Sequence, residues 1–408
     1  MSFPATRREF LKVLGATSLV SLNGLPPRCL SAALVDDRAR PDQRVLVLIQ
    51  LAGGNDGLNT VVPYAEDAYR RARPALAIGE GSVLKLNEQF GLHPSLTGLR
   101  KLWDAGRLGI VHGVGYPHPD RSHFRSMDIW HTANPDVTQP QTGWVGRTLD
   151  VSAESSHGLR EAVAIGLDRL PLALVGNRVV SPMIKNLDAF RLNEPEGKSP
   201  LRTTAWQQAA SANSDAGSEL DFLRRSAAAS LASADRLKSL GKTYNSSVDY
   251  PSTGLAQRLR LVAQMIAAEL PARIYFVSLD GFDTHAQQLP GHAALLSELS
   301  EAVSAFVADL EEHALSQRVL TATFSEFGRR LAENGSLGTD HGAASSLFVV
   351  SPNRGGMFGQ PPSLSDLDDG DPKFTTDFRR VYAAFLENWL QVDAAPALGG
   401  QFAPLDCV

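Results

Sequence analysis

The chain has 408 residues, of which 43% are hydrophobic and 20% are charged, so it can bury a large core and is not expected to be disordered. A formal net charge of −5 provides no broad basic field, which argues against nucleic acid as the main partner. No segment approaches the ~20 uninterrupted apolar residues of a helical membrane span, so no stable span is predicted.

The first predicted element is an export signal at residues 1–33. Arg7 and Arg8 precede a mildly apolar stretch, Val13 to Leu22, and then the small residues Ser31-Ala32-Ala33. This layout is typical of a twin-arginine signal, and the alternative is a basic N-terminal helix. The signal predicts the twin-arginine translocase as a partner during export and a periplasmic or extracellular mature protein. Because this route carries folded proteins, often with a cofactor in place, it also favours a bound metal or other prosthetic group.

Strands and helices alternate over residues 44–408, which we interpret as one α/β domain. Continuous apolar runs predict strands covered on both faces, as in a mostly parallel sheet between helices. Apolar residues spaced by three and four predict helices from Leu295 to Leu310 and from Phe378 to Trp389. The predicted strands are Arg44–Leu51, Leu108–Val114, Ala162–Ile165, Leu172–Val175, Arg273–Leu279, Val319–Phe324 and Ser346–Val350.

Residues 203–270 interrupt this alternation. Ala-rich patterns predict helices at Ser218–Leu240 and Leu255–Leu270 around a turn-rich segment. The strand pattern resumes directly afterwards, so we interpret this region as a helical insertion or cap on the same domain. The acidic run Asp366–Asp371 lacks the loop length and terminal Glu of an EF-hand and is predicted to be a solvated loop.

Polar residues lie next to several predicted strands. In open α/β sheets ligands bind at the carboxyl ends of the strands, so these positions are candidates for a site. Taken alone, a single Asp or Ser after a strand is usually a turn former or a helix N-cap. The positions are Asn55-Asp56, Ser122-His123, Asp280 with Asp283 and His285, Glu326 with Arg329, and Asp340-His341.

Two of these positions pair a carboxylate with an imidazole. Asp283 and His285 can point from one loop toward one ion, and Asp340-His341 can do so where the chain turns at the flanking glycines. Mixed carboxylate and imidazole ligands suit zinc, manganese or iron. A polar turn leading into a strand is the alternative for Asp340-His341.

Ser122 precedes a predicted helix, Phe124 to His131. A helix N-terminus favours an anion, and a metal at the serine oxygen would lower the pKa of the hydroxyl, so Ser122 is a candidate nucleophile. Arg121 or Arg125 would then neutralise a phosphate or sulfate group. The alternatives are a capping role for the serine and a solubility role for the arginines.

Several segments together resemble the bacterial family called domain of unknown function 1501. They are the twin-arginine start, LAGGNDGLNTVVPY (51–64), YPHPDRSHFRSMDIW (116–130), GFDTHAQQ (281–288), FSEFGRR (324–330) and TDHG (339–342). That family resembles a branch of the alkaline phosphatase and sulfatase superfamily. The resemblance implies an alkaline phosphatase-like three-layer α/β sandwich, with a mostly parallel central sheet and a metal-assisted nucleophile.

The resemblance also implies roles for individual residues. Ser122 would be the nucleophile, with His123 and Arg125 beside it in the catalytic set. The implied metal ligands are Asp56, Asp283, His285, Asp340, His341 and Glu326. The metal would be divalent zinc, manganese, calcium or iron, and the activity would be hydrolysis of a phosphate or sulfate ester of a small molecule or glycan.

The sequence departs from the superfamily pattern in two ways. One residue separates Asp283 from His285 where the superfamily usually has three, and Asp280 with His285 is the alternative pairing. In addition, no His follows His341. These departures favour a second interpretation, a non-catalytic periplasmic protein that binds a glycan, cell-wall component or partner protein through a degenerate metal site. A third is an isomerase or transferase acting on a phosphorylated compound.

Overall fold

The structure is a computed structural model that describes residues 43–152, 159, 161–179, 181–184 and 244–408. The predicted signal at residues 1–33 and the predicted helix at 218–240 lie outside the described residues. Among the helices within those ranges, none has the length and apolar character needed to cross a membrane.

The described chain alternates strands with helices. In chain order the strands are β1 (Val45–Ala52), β2 (Val61–Val62), β3 (Leu84–Lys85), β4 (Gly91–Leu92), β5 (Leu108–Gly115), β6 (Ala162–Ile165), β7 (Met183–Ile184), β8 (Ile274–Asp280), β9 (Val319–Phe324), β10 (Arg329–Glu333), β11 (Thr339–His341), β12 (Ser345–Val350), β13 (Gly356–Phe358), β14 (Leu367–Asp368), β15 (Asp371–Pro372) and β16 (Thr376–Asp377). The α-helices are α1 (Gly57–Thr60), α2 (Asp67–Ala72), α3 (Thr97–Asp104), α4 (His123–Thr132), α5 (Trp144–Ser152), α6 (Gly254–Ala267), α7 (Gln288–Glu312), α8 (Phe378–Ala383) and α9 (Ala395–Leu398). A π-helix (Ala384–Leu390) continues α8, and short 3-10 helices lie at Leu172–Leu174 and Ser316–Arg318.

A nine-stranded sheet lies at the centre, in the order β13-β5-β12-β9-β1-β8-β6-β7, with β16 beside β5. β1 pairs in parallel with both β8 and β9, and β6 continues the parallel arrangement beyond β8. β12 is antiparallel to both of its neighbours, β5 and β9. The prediction of a mostly parallel central sheet is confirmed.

Two apolar layers cover the sheet. Along β1, Val47 and Ile49 point into a core shared with α3, α6 and α7, whereas Leu46 and Leu48 point into a core shared with α4, α5 and α8. A strand buried on both faces needs apolar residues at every position, which explains the continuous run. The predicted three-layer α/β sandwich is therefore confirmed.

Two segments differ from the sequence-based expectation. The predicted strand Leu172–Val175 is instead the 3-10 helix Leu172–Leu174, preceded by Pro171, whose ring fixes φ and removes an N–H that a ladder would use. The predicted helix at 255–270 is present as α6. Its buried face packs into the main core beside α7, so this part of the expected insertion belongs to one layer of the sandwich.

A buried histidine, His131 on α4, should make stability sensitive to moderate acid. Its Nε2 lies 2.9 Å from Gln50 Oε1, and burial lowers its pKa from 6.5 to about 4. Between those values the unfolded chain binds more protons, so the free energy of unfolding should fall as the pH drops from 6.5 to 4. The pKa difference between the folded and unfolded chain corresponds to a loss of roughly 3 kcal/mol in the free energy of unfolding from this one group.

Urea unfolding of wild type and His131→Gln at pH 7 and pH 4.5 tests this expectation. The variant should lose less stability than wild type between the two values, because Gln does not titrate. His118→Gln changes an exposed histidine and should leave the pH dependence unaltered. An equal loss of stability in His131→Gln and wild type would contradict the assignment.

Candidate metal centre

Three polar side chains converge at one rim of the sheet. One ligand atom from each of His123, Asp283 and His341 lies within 4.8 Å of the other two. His123 is the first residue of α4, Asp283 lies in the loop after β8, and His341 ends β11. The group is partly open to solvent, with 48% of the Asp283 side chain exposed, so small molecules can reach it.

The topology explains why residues so distant in sequence meet. β1, β8 and β9 are parallel and end at the same edge, so the loops that follow them share that edge. β12 runs the opposite way, and the segment that enters it, which carries His341, therefore lies at this edge too. Gly53, after β1, adopts φ +118°, and a Cβ there would lie 2.4 Å from the backbone nitrogen of Asp283. The loops after β1 and β8 are thus in direct backbone contact.

His123 is held by a buried carboxylate. Its Nδ1 lies 2.9 Å from Glu326 Oε1, which also accepts the backbone N–H of Gly53 at 2.8 Å. Its Nε2 is buried and makes no hydrogen bond to any described residue, although Asp283 Oδ2 is 3.4 Å away. Glu326 therefore orients the ring and leaves Nε2 facing Asp283 and His341.

The backbone determines the tautomer of His341. Its Nδ1 lies 2.8 Å from the carbonyl oxygen of Arg121, which can only accept, so Nδ1 carries the proton and the neutral ring has a lone pair on Nε2. That lone pair lies 3.1 Å from Asp283 Oδ1, another acceptor. Burial lowers the pKa of His341, and this outweighs the opposing effect of its contact with Asp283. The neutral ring is therefore favoured, and two acceptors face each other.

His285 lies beside this group and is bracketed by the Asp340-His341 pair. Its Nε2 is 2.8 Å from His341 Nε2 and 3.0 Å from Asp283 Oδ1, while its Nδ1 is 3.4 Å from Asp340 Oδ1. Neighbouring strand residues point to opposite faces, which is why Asp340 and His341 approach different sides of the His285 ring. Asp340 also accepts a hydrogen bond from Asn334, which lowers its pKa.

Arg329 fixes the carboxylate of Asp283. Its buried guanidinium donates to Asp283 Oδ1 at 2.9 Å and to the carbonyl oxygens of Gly54, Phe282 and Thr339. Burial would raise the pKa of Asp283, but its contact with the His341 ring and the hydrogen bond and charge of Arg329 lower it to about 2. Asp283 is therefore ionised at neutral pH.

Asp56 is placed differently from the other predicted ligands. Its side chain and that of Arg73 are both fully buried, and Oδ2 accepts from Arg73 at 2.6 Å and from Gln288 at 2.5 Å. Oδ1 caps the short helix α1. Burial would raise its pKa, but the charge of Arg73 outweighs this and lowers it. Both oxygens are occupied by protein donors, and Asp56 does not belong to the converging group.

Ser122 is the N-cap residue of α4. Its side chain is exposed and makes no capping hydrogen bond, so the hydroxyl is not used by the helix. It stands next to His123, and the carbonyl of Arg121 on its other side contacts His341. Ser122 therefore lies beside the converging group.

The guanidinium groups of the two candidate arginines, Arg121 and Arg125, are both bound elsewhere and not to the converging group. Arg125 donates to the carbonyl oxygens of Pro135 and Val137. Arg121 pairs with Asp369 and with the buried Asp371. The acidic run predicted to be a solvated loop is therefore partly a structural anchor, through Asp371, within the β14–β15 hairpin.

Two contributors are not among the candidate site residues of the sequence analysis, although Phe327 lies within the FSEFGRR segment. Arg73 lies in an unremarkable polar stretch, yet it neutralises Asp56. The ring of Phe327 packs at a tilt against both imidazoles, with its centroid 4.4 Å from that of His341 and 4.9 Å from that of His123. A single apolar or basic residue of this kind has no diagnostic spacing.

The chain matches one family model, described as "Protein of unknown function (DUF1501)", over residues 110–378. No curated protein sequence matches it.

Solved structures share general features with the fold. For the lipoteichoic acid synthase LtaP from Listeria monocytogenes, the identity is 8% and the TM-score 0.38, over 96% of this chain and 79% of that one. For the zinc complex of the C-terminal periplasmic domain of EptC from Escherichia coli, the identity is 8% and the TM-score 0.35, over 78% of this chain and 76% of that one. For a protein in the alkaline phosphatase superfamily from Vibrio parahaemolyticus, the identity is 9% and the TM-score 0.34, over 86% of this chain and 71% of that one. Likeness at this level carries no argument about activity.

Proposed function

Because the chain belongs to the DUF1501 family, whose description assigns no activity, we propose a function from the geometry of its own residues: a metal-dependent hydrolase of phosphate or sulfate esters. The observation that supports it most strongly is the convergence of His123, Asp283 and His341. The substrate would be an ester of a small molecule or glycan.

The donor atoms fit a divalent cation. The Nε2 atoms of His123 and His341 both carry lone pairs, and the carboxylate of Asp283 is ionised. Three hydrogen-bond acceptors therefore face one another, and no single protein donor can bind all three. A cation resolves this conflict, and imidazole with carboxylate suits zinc, manganese or iron. His285 would be a fourth ligand, since its Nε2 is 3.0 Å from Asp283 Oδ1.

Two predicted ligands are better explained as positioning residues. Glu326 contacts Nδ1 of His123, and Asp340 contacts Nδ1 of His285, in each case the ring nitrogen opposite the one that faces Asp283. A carboxylate on the far nitrogen of a metal-binding imidazole fixes the ring and its tautomer. Asp56 we assign to the fold, through its pair with Arg73.

The proposed reaction uses Ser122 as the nucleophile. A bound cation would supply positive charge that favours the ionised hydroxyl and the developing charge on the ester. The Ser122 oxygen attacks phosphorus or sulfur, the bond to the leaving oxygen breaks, and the released alcohol takes up a proton. Water then attacks the same centre, which returns the Ser122 hydroxyl and releases phosphate or sulfate. The N-terminus of α4 favours the anionic oxygen.

A second candidate is a non-catalytic binding protein with a degenerate metal site. The observation that favours it is the Asp56–Arg73 pair, because a residue expected to bind metal instead neutralises a buried arginine. Bound metal in purified protein supports the hydrolase. Its absence supports the binding protein.

Export is a further part of this proposal. Arg7 and Arg8, the apolar stretch after them and the small residues near Ala33 support the twin-arginine route and a periplasmic or extracellular location.

Metal content is the direct test of the centre. Wild-type protein purified under native conditions should contain about one divalent cation per chain by elemental analysis, because the ligands are preformed. His123→Ala should lower metal affinity by at least about a hundredfold, since it removes one of three converging donors.

The matched control is His118→Ala, which removes an exposed histidine outside the group. It should bind metal as wild type does. Metal-free wild type at high purity, or equal metal content in His123→Ala, would contradict the proposed ligand set.

A further inference from the structure

The side chain of Gln288 joins three segments at the rim of the sheet. Gln288 is the first residue of α7 and is fully buried. Its Nε2 donates to Asp56 Oδ2 at 2.5 Å, and its Oε1 accepts from the hydroxyl groups of Thr339 at 2.6 Å and Thr284 at 3.2 Å. One amide therefore contacts the loop after β1, the loop after β8, and β11.

Two of these contacts lie next to the proposed metal ligands. Thr284 lies between Asp283 and His285, and Thr339 lies two residues before His341 on β11. Residues two apart on a strand point to the same face, so Thr339 and His341 are placed by the same short piece of backbone. The bonds to the two threonines therefore constrain both segments that carry ligands.

The chemistry of the partners determines which way the amide points. The carboxylate of Asp56, which is paired with Arg73, can only accept hydrogen bonds, so the NH₂ end of Gln288 must face it. The oxygen end then faces the two threonine hydroxyl groups, which donate to it. The reversed amide would place its oxygen against a carboxylate. All three hydrogen bonds therefore require the orientation that the structure has.

Arg329 contacts the same three segments by a different route. Its guanidinium donates to the carbonyl oxygens of Gly54, Phe282 and Thr339, whereas Gln288 uses only side-chain partners. A buried polar network whose members are paired rigidifies its surroundings and specifies one arrangement. An apolar side chain at position 288 would fill a similar space without linking the segments, so the amide has a role beyond packing.

We propose that Gln288 is a positioning residue for the metal centre. It holds the loop 283–285 and the strand residues 340–341 in a fixed relation to each other, with the buried Asp56–Arg73 pair as its anchor. Asp56 keeps its role in the fold and acts on the centre only through Gln288. The effect on metal binding rests on the proposed metal centre, whereas the fixed geometry of the two segments does not.

Two measurements on the full-length protein test this role. Gln288→Met keeps the length of the side chain and removes its hydrogen bonds. Zn²⁺ affinity, measured by titration against a chromophoric chelator, should fall about tenfold, the lower end of the effect of groups that support metal ligands. In metal-free protein, hydrogen exchange read by mass spectrometry should become about tenfold faster in peptides covering residues 282–288 and 337–341, because local opening costs less.

The matched control is Tyr250→Phe. It removes a 2.7 Å hydrogen bond to the buried Asp309, near the opposite end of α7. This variant should lower overall stability without changing Zn²⁺ affinity or exchange in the two segments. A general loss of stability is thereby separated from a loss of positioning.

Thr339→Val provides a second and milder variant. It removes one donor to Gln288 and should shift both measurements in the same direction as Gln288→Met. When it is added to Gln288→Met, little further change is expected, because the two residues share one hydrogen bond. Thr339→Val decides the question if Gln288→Met does not fold.

The outcomes separate this inference from the proposed function. Unchanged exchange in both segments of Gln288→Met would overturn the inference, as would equal changes in Tyr250→Phe. Unchanged Zn²⁺ affinity would do so too if wild type binds Zn²⁺. If wild type binds no Zn²⁺, the proposed metal centre fails, and the exchange measurement alone decides whether Gln288 holds the two segments.

Discussion

Ser122→Ala is expected to reduce turnover of an ester substrate by at least about a thousandfold, because it removes the proposed nucleophile and leaves only binding and electrostatic effects. Metal content and stability should remain as in wild type, since the Ser122 hydroxyl makes no capping hydrogen bond and is exposed. The measurement is release of p-nitrophenol from p-nitrophenyl phosphate and p-nitrophenyl sulfate by metal-loaded protein.

The matched control is Ser126→Ala on the same helix. The Ser126 hydroxyl points inward and donates to the carbonyl of Asp120 at 2.6 Å, so its loss should affect stability more than turnover. Mass spectrometry of quenched wild-type reactions should also detect a phosphoryl or sulfuryl group on Ser122. Undiminished turnover by Ser122→Ala would refute its role, and no turnover of either ester by metal-loaded wild type would contradict the hydrolase itself.

Arg73→Met is expected to destabilise the protein by about 3–5 kcal/mol, because it leaves the carboxylate of Asp56 buried without a compensating charge. Both side chains are fully buried, and the Nη1–Oδ2 distance is 2.6 Å. The same change also removes hydrogen bonds to the carbonyl oxygens of Arg330 and Leu331. Urea unfolding at pH 7 measures the loss in free energy of unfolding.

A double variant separates the charge from the packing. Asp56→Asn keeps a side-chain oxygen for the α1 cap and removes the charge, so Arg73→Met with Asp56→Asn should be more stable than Arg73→Met alone. Lys85→Met breaks the exposed pair with Glu80 and should change stability little. If Arg73→Met were no less stable than Lys85→Met, Asp56 would not depend on Arg73, and its assignment to the fold would be wrong.

The rim of the sheet could be predicted from sequence because strand runs are easy to recognise and parallel strands end together. The carboxyl-end rule places His123 among the candidate catalytic residues and Asp283 and His341 among the candidate metal ligands, and the structure brings these three together. The strands themselves were predicted to within a residue or two where the apolar runs were long. Leu172–Val175 was wrong because a run of four residues after a proline does not distinguish a strand from a 3-10 helix.

The function of each carboxylate could not be predicted in the same way. Whether Glu326, Asp340 or Asp56 faces an ion, an imidazole or an arginine depends on the direction of its side chain, which tertiary packing determines. Glu326 contacts His123, and Asp56 contacts Arg73, a residue seventeen positions away with no helical or strand spacing to link them. Spacing within a motif constrains the backbone but does not determine what a side chain meets.

The guanidinium of Arg329 has a mechanical consequence for the rim. It donates hydrogen bonds to the carbonyl oxygens of Gly54, Phe282 and Thr339, which belong to two loops and to β11, segments that are far apart in sequence. Because all three bonds come from one buried side chain, displacement of Arg329 would remove a partner from all three segments at once. Arg329 thus ties together the three backbone segments that carry or flank Asp283 and His341, which favours fixed distances between the side chains of the rim.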